Sequence, residues 1–378
     1  MRLGLQEVLR ILNFFEGIQD PRDVRYVMHP FETVVGVGVL SIFCNCVGWE
    51  QMEEFAQHTY ALLSNFFAFP NGVPGHDTFS RVFQKICPEA LRQALRRTGE
   101  ALSVQDTGLT HLAMDGKTLC GSRDDPNNCP ALHIVSAWAV SEKQVVDCEG
   151  VRGKGHELAL LKTLLERLEL KDKLISIDAI GCQREICSTI TEAKGHYLIG
   201  LKGNQSQLFK DVCLAFETPD LFDVKTAYIV DKDHGRLEER TVFVMENVAW
   251  LKDRHDWPGL QQIGKIHKRT ERKGKITSEE RFFICSAALT PEHFQTAVRD
   301  HWSIENSQHY VLDDTLREDR LRIRKKGACE NIALLQRVKL NLLQQAKKLW
   351  NLRSIPKTQR TLSASPEKII QILHRWQS

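Results

Sequence analysis

Two acids are placed where they could do chemistry together. His111-Leu112-Ala113-Met114-Asp115 and Leu174-Ile175-Ser176-Ile177-Asp178 each read as a short β-strand ending on a carboxylate. If the two strands lie side by side, Asp115 and Asp178 meet at one edge of a sheet. Paired hard oxygen ligands attract Mg²⁺, with Mn²⁺ able to substitute, rather than Zn²⁺. A third carboxylate from a later helix would complete a two-metal site, in which one ion activates a water or hydroxyl and the other stabilises the leaving oxygen. Spacing leaves that third acid open among Glu305, Asp313, Asp314, Glu318 and Asp319. Glu305 lies among Trp302, Ile304 and Tyr310 on a helix with an apolar side, which puts it near the edge of the core. The competing arrangement is His301, Glu305 and His309, three side chains on one helical face. It lacks the H-E-x-x-H spacing and the further ligands of a zinc site. A hydrogen-bonded face that orients Glu305 or touches phosphate is the better account.

The elements that must hold these acids follow in a definite order. Residues 132–140 and 144–147 read as second and third strands, and 157–170 as an amphipathic helix with Leu158, Leu161, Leu164, Leu165 and Leu168 on one side. A helix at about 182–194 and a fifth strand at 196–201 come after the Asp178 strand. This is the order of a ribonuclease H-like core, an antiparallel meander followed by parallel strands reached through helical crossovers. No helix is expected directly after Gly203; β-like segments at 227–230, 240–245, 262–266 and 281–285 mark 205–290 as a β-rich insertion. Pro291 then opens a helix through Phe294, Val298, Trp302 and Ile304, and a last helical region at 330–350 carries Ile332, Leu335, Val338, Leu342 and Leu343. Ahead of the core, residues 50–67 have helical spacing, the loop Pro70-Asn71-Gly72-Val73-Pro74-Gly75 breaks it, and Asp77 is expected to cap a helix with Phe79, Val82 and Phe83 inward. The expected fold class is α+β. Its parts are a helical N-terminal domain with possible DNA contact at 1–105, the first part of the core at 106–204, the insertion at 205–290, the second part with the Glu305 helix at 291–350, and a basic tail at 351–378.

Charge adds a partner. The 378 residues hold 51 Lys+Arg and 48 Asp+Glu, a formal net charge of +3. The distribution is uneven: residues 317–378 carry 15 Lys+Arg against four acids, leaving 36 basic and 44 acidic residues in 1–316. A basic end on an acidic body points to a polyanion, most often nucleic acid. No run approaches the roughly 18 to 20 apolar residues of a membrane span. The N-terminus meets Glu7 without a signal-peptide core, so a cytoplasmic protein is expected. The 11 cysteines are scattered with no C-x-x-C pair, which suits reduced thiols used as small apolar residues. Gly-rich phosphate loops, G-x-G-x-x-G and G-x-S-x-G are absent from the sequence.

Five short motifs then fall in order: Ala113-Met114-Asp115-Gly116-Lys117-Thr118; Ile177-Asp178-Ala179 with Gly181-Cys182-Gln183; Tyr197-Leu198-Ile199-Gly200-Leu201-Lys202-Gly203-Asn204-Gln205; His234-Gly235-Arg236; and His301-Trp302-Ser303-Ile304-Glu305-Asn306. The series resembles the bacterial insertion-sequence DDE transposases that include the H-repeat-associated proteins of Rhs elements. Gly72-Val73-Pro74-Gly75-His76-Asp77-Thr78-Phe79 is similar to the family's N-terminal associated domain, so the resemblance covers nearly the whole chain. It implies that Asp115, Asp178 and Glu305 form the catalytic and metal-binding triad, with Mg²⁺ as cofactor and a β-strand insertion before the Glu. It also implies cleavage of DNA at element ends and strand transfer into target DNA, by a homodimer that holds two ends and associates with the nucleoid when bound. An inactive DNA-binding descendant, and a nuclease without strand transfer, are the alternatives. Val298, His301 and Leu312 stand where many relatives have Tyr, Arg and Lys; His301 agrees with this branch. Expected DNA contacts are Lys117, Lys202 and Asn204 after the strand ends, and His234 and Arg236 at a Gly turn. Lys268 and Arg269 belong to a basic hairpin tip at 265–275, and His301, Arg322 and Arg324 complete the set.

Overall fold

A computed structural model describes residues 17–100, 110–153, 155–233, 236–321, 323–365 and 367–369. The apolar run after Pro30 forms α1 (Phe31–Phe43), buried on nearly every side. Around it pack α2 (Trp49–His58), α3 (Tyr60–Leu63), α4 (His76–Lys85) and α5 (Pro88–Glu100). Phe79, Val82 and Phe83 of α4 point inward as expected, but Asp77 is not the cap. Gly75 takes that position, and Asp77 lies in the first turn, 3.7 Å from Arg81 one turn on.

Next come β1 (Thr110–Leu119), β2 (Leu132–Ala139) and β3 (Gln144–Arg152), an antiparallel meander. Then α6 (Glu157–Arg167) leads to β4 (Lys173–Ile177), and α7 (Arg184–Glu192) leads to β5 (His196–Leu201). β4 runs parallel to β1, and β5 parallel to β4. The buried stripe of α6 is Leu160, Leu161, Leu164 and Leu165. Leu158, expected inside, is exposed; at 100° per residue it sits roughly 90° round from the centre of that stripe.

The chain after β5 departs from expectation. A helix does follow at once: α8 (Ser206–Glu217) buries Leu208, Val212, Ala215 and Phe216. All four inserted strands are present, as β6 (Val224–Asp233), β7 (Arg236–Met245), β8 (Gln262–Arg272) and β9 (Lys275–Cys285), with α9 (Ala249–His255) between the pairs. They do not form a body apart. β9 pairs antiparallel with β5, so one sheet of nine strands runs in the order β3-β2-β1-β4-β5-β9-β8-β7-β6.

Thr290 caps α10 (Pro291–His301), its hydroxyl accepting from the His293 amide. Two wide π-helical turns, Glu305–His309 and Val311–Thr315, continue the path. The chain then enters α11 (Lys326–Leu349) and α12 (Ile355–Ser363), so the stretch expected as a tail contains a packed helix. α11 shares one apolar core with the N-terminal helices through Ile332, Leu335, Val338, Leu342 and Leu343.

Its polar residues are spent inside as well. Asn331 donates to the carbonyls of Phe83 and Ile86 at the end of α4, and Lys339 donates to Ile42 O at the end of α1. Helix C-termini expose unpaired carbonyls and partial negative charge, which a buried amide or ammonium satisfies. Arg337 is fully buried against Glu318, 2.7 Å away. Part of the basic excess of 317–378 therefore holds the fold together rather than facing solvent. All 11 cysteines are free thiols. Among the described residues no helix is long and apolar enough to cross a membrane.

Candidate active site

The pairing of β1 sets the position of Asp115. β1 does not end there; it stays paired with β2 as far as Leu119↔Leu132. Its pairing with β4 stops at Met114↔Ile177, so Asp115 and Asp178 are each the first residue beyond the last parallel pair. The two acids thus stand at one level on neighbouring strands. The Gly116 amide donates to Asp115 Oδ1 at 2.9 Å. Asp178 Oδ1 accepts from the Ile180 amide at 3.0 Å and caps the short turn Ala179–Gly181.

The carboxylates feel one another. Burial pushes Asp115 up to about 7; the Gly116 amide opposes this, and the charges of Asp178, Glu157 and Glu305 add to it. Asp178 is also raised, by burial first, with the Ile180 amide opposing, Glu157 adding to the rise and Lys202 reducing it. Glu305 opens the first π-helical turn and is exposed, not tucked at the core edge. Turns of this kind occur disproportionately at functional sites.

The histidines near Glu305 go to separate partners. His301 Nδ1 lies 3.0 Å from Ser176 Oγ, which meets His111 Nε2 at 2.7 Å. Burial pulls His301 down to about 4, with the contact to Ser176 opposing this. His309 faces Asp115, Nδ1 to Oδ2 3.6 Å, and burial holds it at about 3. His301, Glu305 and His309 therefore do not surround one ion. Among the described residues no three His, Cys, Asp or Glu side chains stand ready to ligate as they are placed. By donor chemistry, Asp115, Asp178 and the exposed Glu305 fit a hard divalent cation: all three offer carboxylate oxygen and none a thiolate.

Several expected DNA contacts are occupied otherwise. Lys117 is buried, with Asp313 Oδ1 at 2.6 Å, Asp319 Oδ1 at 3.4 Å and Glu318 Oε2 at 3.8 Å. Burial opposes its charge, but Glu318, Asp313 and Asp319 outweigh that and raise its pKa. Its ammonium is spent on these three carboxylates. Asn204 Nδ2 donates to Ala179 O at 2.7 Å, and Gln205 Nε2 to Cys182 O at 2.8 Å, so this segment clamps the turn after Asp178. Lys202 beside it is exposed.

On the insertion, Lys268 lies 3.2 Å from Glu238, and Arg269 2.5 Å from Glu239. The Arg236 backbone pairs with Asp233 and Arg272. Arg324 is exposed, 3.9 Å from Asp124. His234 and Arg322 lie outside the described residues.

Two features escaped the sequence reading. One is Glu157, the first residue of α6, whose charge acts on both aspartates. A helix start directly after the meander was the available signal. The other is a groove of about 640 Å³ beside Glu305, with Arg240, Lys268, Arg281 and Arg299 on its walls. Trp302, 40% exposed, forms part of the lining, and the Arg281 guanidinium sits 4.8 Å over its ring.

The chain as a whole has relatives. The family described as Transposase DDE domain matches residues 106–342, and the DDE_Tnp_1-associated family matches 12–97. The chain belongs to the DDE transposase family. It is 30% identical over 349 residues to the "H repeat-associated putative transposase YhhI" of Escherichia coli K12, covering 90% of this chain and 92% of the relative. It is 36% identical over 280 residues to an uncharacterized protein in the dhlA 3′ region of Xanthobacter autotrophicus, covering 74% of this chain and 95% of that one. A piggyBac transposase in a synaptic complex with hairpin DNA superposes with TM-score 0.45 at 12% identity, over 97% of this chain and 78% of that one, too distant a likeness to carry an argument.

Proposed function

We propose that the protein is a DNA transposase that cleaves at element ends and transfers the freed strand into target DNA, on a ribonuclease H-like core. The observation that carries this reading is the matched position of Asp115 and Asp178 beyond the last β1–β4 pair, with Glu305 acting on the same carboxylate field. Asp115, Asp178 and Glu305 would hold Mg²⁺ or Mn²⁺. When bound, such ions neutralise charge on the phosphate and acidify the attacking water or hydroxyl.

The chain's own part is positioning. Asp115 and Asp178 are fixed by the amides of Gly116 and Ile180, and the Asn204 and Gln205 amides stiffen the Asp178 turn. Lys202, exposed beside Asp178, is suited to a phosphate next to the scissile one. Water attacks first and leaves a 3′-hydroxyl; that hydroxyl then attacks a target phosphodiester, and the target strand's 3′-oxygen leaves. No covalent protein intermediate is required.

The family supports DNA as the partner; in the groove beside Glu305, Arg240, Lys268, Arg281 and Arg299 are each paired with a carboxylate, so a phosphate there would compete with Asp231, Glu238 and Glu279. A homodimer follows from the need to hold two ends together. The test is D115A, D178A and E305A, each assayed for cleavage of an element-end duplex with Mg²⁺ and with Mn²⁺. Each is expected to lose cleavage, and full activity in any one removes that residue from the reading.

A further inference from the structure

Gly116 follows Asp115 on β1, and its backbone faces a crowded space. A Cβ there would sit 2.7 Å from Glu157 Oε1 and 2.7 Å from His133 Nε2. Only a residue without a side chain lets a carboxylate from α6 come this close to the strand beside a catalytic acid. Among the described residues, no hydrogen bond of the Glu157 side chain explains its pose. His133 stands beside it, with Nε2 3.4 Å from Glu157 Oε2. His133 is 9% exposed; Thr118 Oγ1 holds its Nδ1 at 3.0 Å, while Nε2 has no hydrogen-bond partner and faces the Glu157 carboxylate. A buried ring nitrogen left in this state, beside a carboxylate pressed against the strand, marks a space built for something further. The side chain of Glu157 is 23% exposed, so solvent reaches the carboxylate.

From this geometry we infer that Glu157 is a fourth carboxylate of the catalytic centre, contributing an oxygen ligand to the divalent cation held by Asp115 and Asp178, with His133 as its positioning residue. The inference rests on the metal-dependent reading above. It explains why a glycine stands at 116, and why the one charge common to the surroundings of both aspartates, apart from their own, is Glu157. A plain structural role is the competing account: an acid in the first turn of α6 complements the helix dipole whether or not it binds a cation.

The experiment measures Mn²⁺ binding by electron paramagnetic resonance titration of the full-length chain without DNA, for wild type, E157Q, E157D and D178N. Thermal melting in EDTA serves as the folding control. Mn²⁺ is expected to bind E157Q more weakly by about tenfold or more, with melting in EDTA little changed. E157D keeps the charge at the helix start but withdraws the oxygen by one carbon. It is expected to remain weak, whereas a dipole role alone predicts wild-type affinity. If E157Q does not fold, E157D carries the decision by the same criterion. Wild-type Mn²⁺ affinity in folded E157Q or E157D overturns the inference. If D178N also binds like wild type, the metal-dependent reading of the site fails as well; if D178N loses binding and E157Q does not, only the role of Glu157 is lost.

Discussion

The Lys117 ammonium lies 2.6 Å from Asp313 Oδ1, tying the strand of Asp115 to the helical turn that follows Glu305. Glu318 and Asp319 complete its surroundings, and Glu318 passes the connection to Arg337 in α11. This is a charge network that joins the strand of Asp115 to the turns after Glu305 and to α11. K117M keeps the length of the stem and removes the charge, leaving three carboxylates facing one another. Breaking a wholly buried pair costs about 3–5 kcal/mol. Asp313 and Asp319 are more than a third exposed, so we expect about 2–3 kcal/mol, read as a lower urea midpoint. Cleavage should fall in parallel, because Glu305 loses its register against Asp115. A K117M protein as stable as wild type would show that the network carries no load.

Asp115 makes a prediction about pH. Its folded pKa of about 7 stands above the ordinary 3.8. Between those values the unfolded chain releases the proton and the folded chain keeps it, so stability falls as pH rises from about 4 to about 7. Above 7 the full cost is present, and below 4 it vanishes. In EDTA, D115N is therefore expected to melt higher than wild type at pH 8 by about 2 °C or more, with the difference closing by pH 4. Added Mn²⁺ should raise the melting temperature of wild type at pH 8 and leave D115N nearly unchanged. A difference independent of pH would point to packing rather than ionisation.

What was legible in the sequence was mostly local. Short runs rich in apolar residues gave the strands of the meander, Pro291 gave the start of α10, and the stretch 265–275 gave the hairpin tip between β8 and β9. Asp178 was legible because a strand end and a cap coincide there. What failed depended on partners far along the chain. The β-rich segments of 205–290 were legible as strands, but nothing local announces that β9 will pair with β5 and carry them into one sheet. α8 was overlooked although Leu208, Val212 and Phe216 have helical spacing, since the turn-like Lys202-Gly203-Asn204 ahead of it reads as loop. Charge counting put Arg337 and Lys339 in a basic end suited to a polyanion, and Lys117 was expected at DNA, yet all three are buried, each against acceptors from another element. Glu157 was invisible for the same reason: its meaning lies in the strand it leans on.

Asn204 separates a DNA contact from a scaffold contact. Its side-chain amide already donates to Ala179 O, so N204A should loosen the turn that begins at Asp178. Misplacing a reacting group by a fraction of an ångström to an ångström costs about ten- to a hundredfold in rate. We expect kcat for cleavage to fall in that range while duplex affinity and its salt dependence stay as in wild type. A drop in affinity with unchanged kcat would return Asn204 to the DNA-contact set.

The hairpin joining β8 and β9 carries a cluster of exposed cations. Arg272 and Lys275 face each other across the turn, with Lys273 at positive φ and Gly274 between them. All four are exposed. Nearer the sheet, by contrast, Lys268 and Arg269 each pair with a glutamate, so the free positive charge of the hairpin is concentrated at its tip. Each phosphate neutralised by a lysine or arginine adds about 0.9 to the slope of log affinity against log salt on duplex DNA. Replacing Arg272, Lys273 and Lys275 together with Ser is expected to flatten that slope by about 2 to 3, weakening binding equally on element-end and unrelated duplexes. The substitutions touch no buried contact, so melting should stay within about 1–2 °C of wild type. An unchanged slope would place the DNA elsewhere, with the groove of Arg240, Arg281 and Arg299 as the next surface to neutralise.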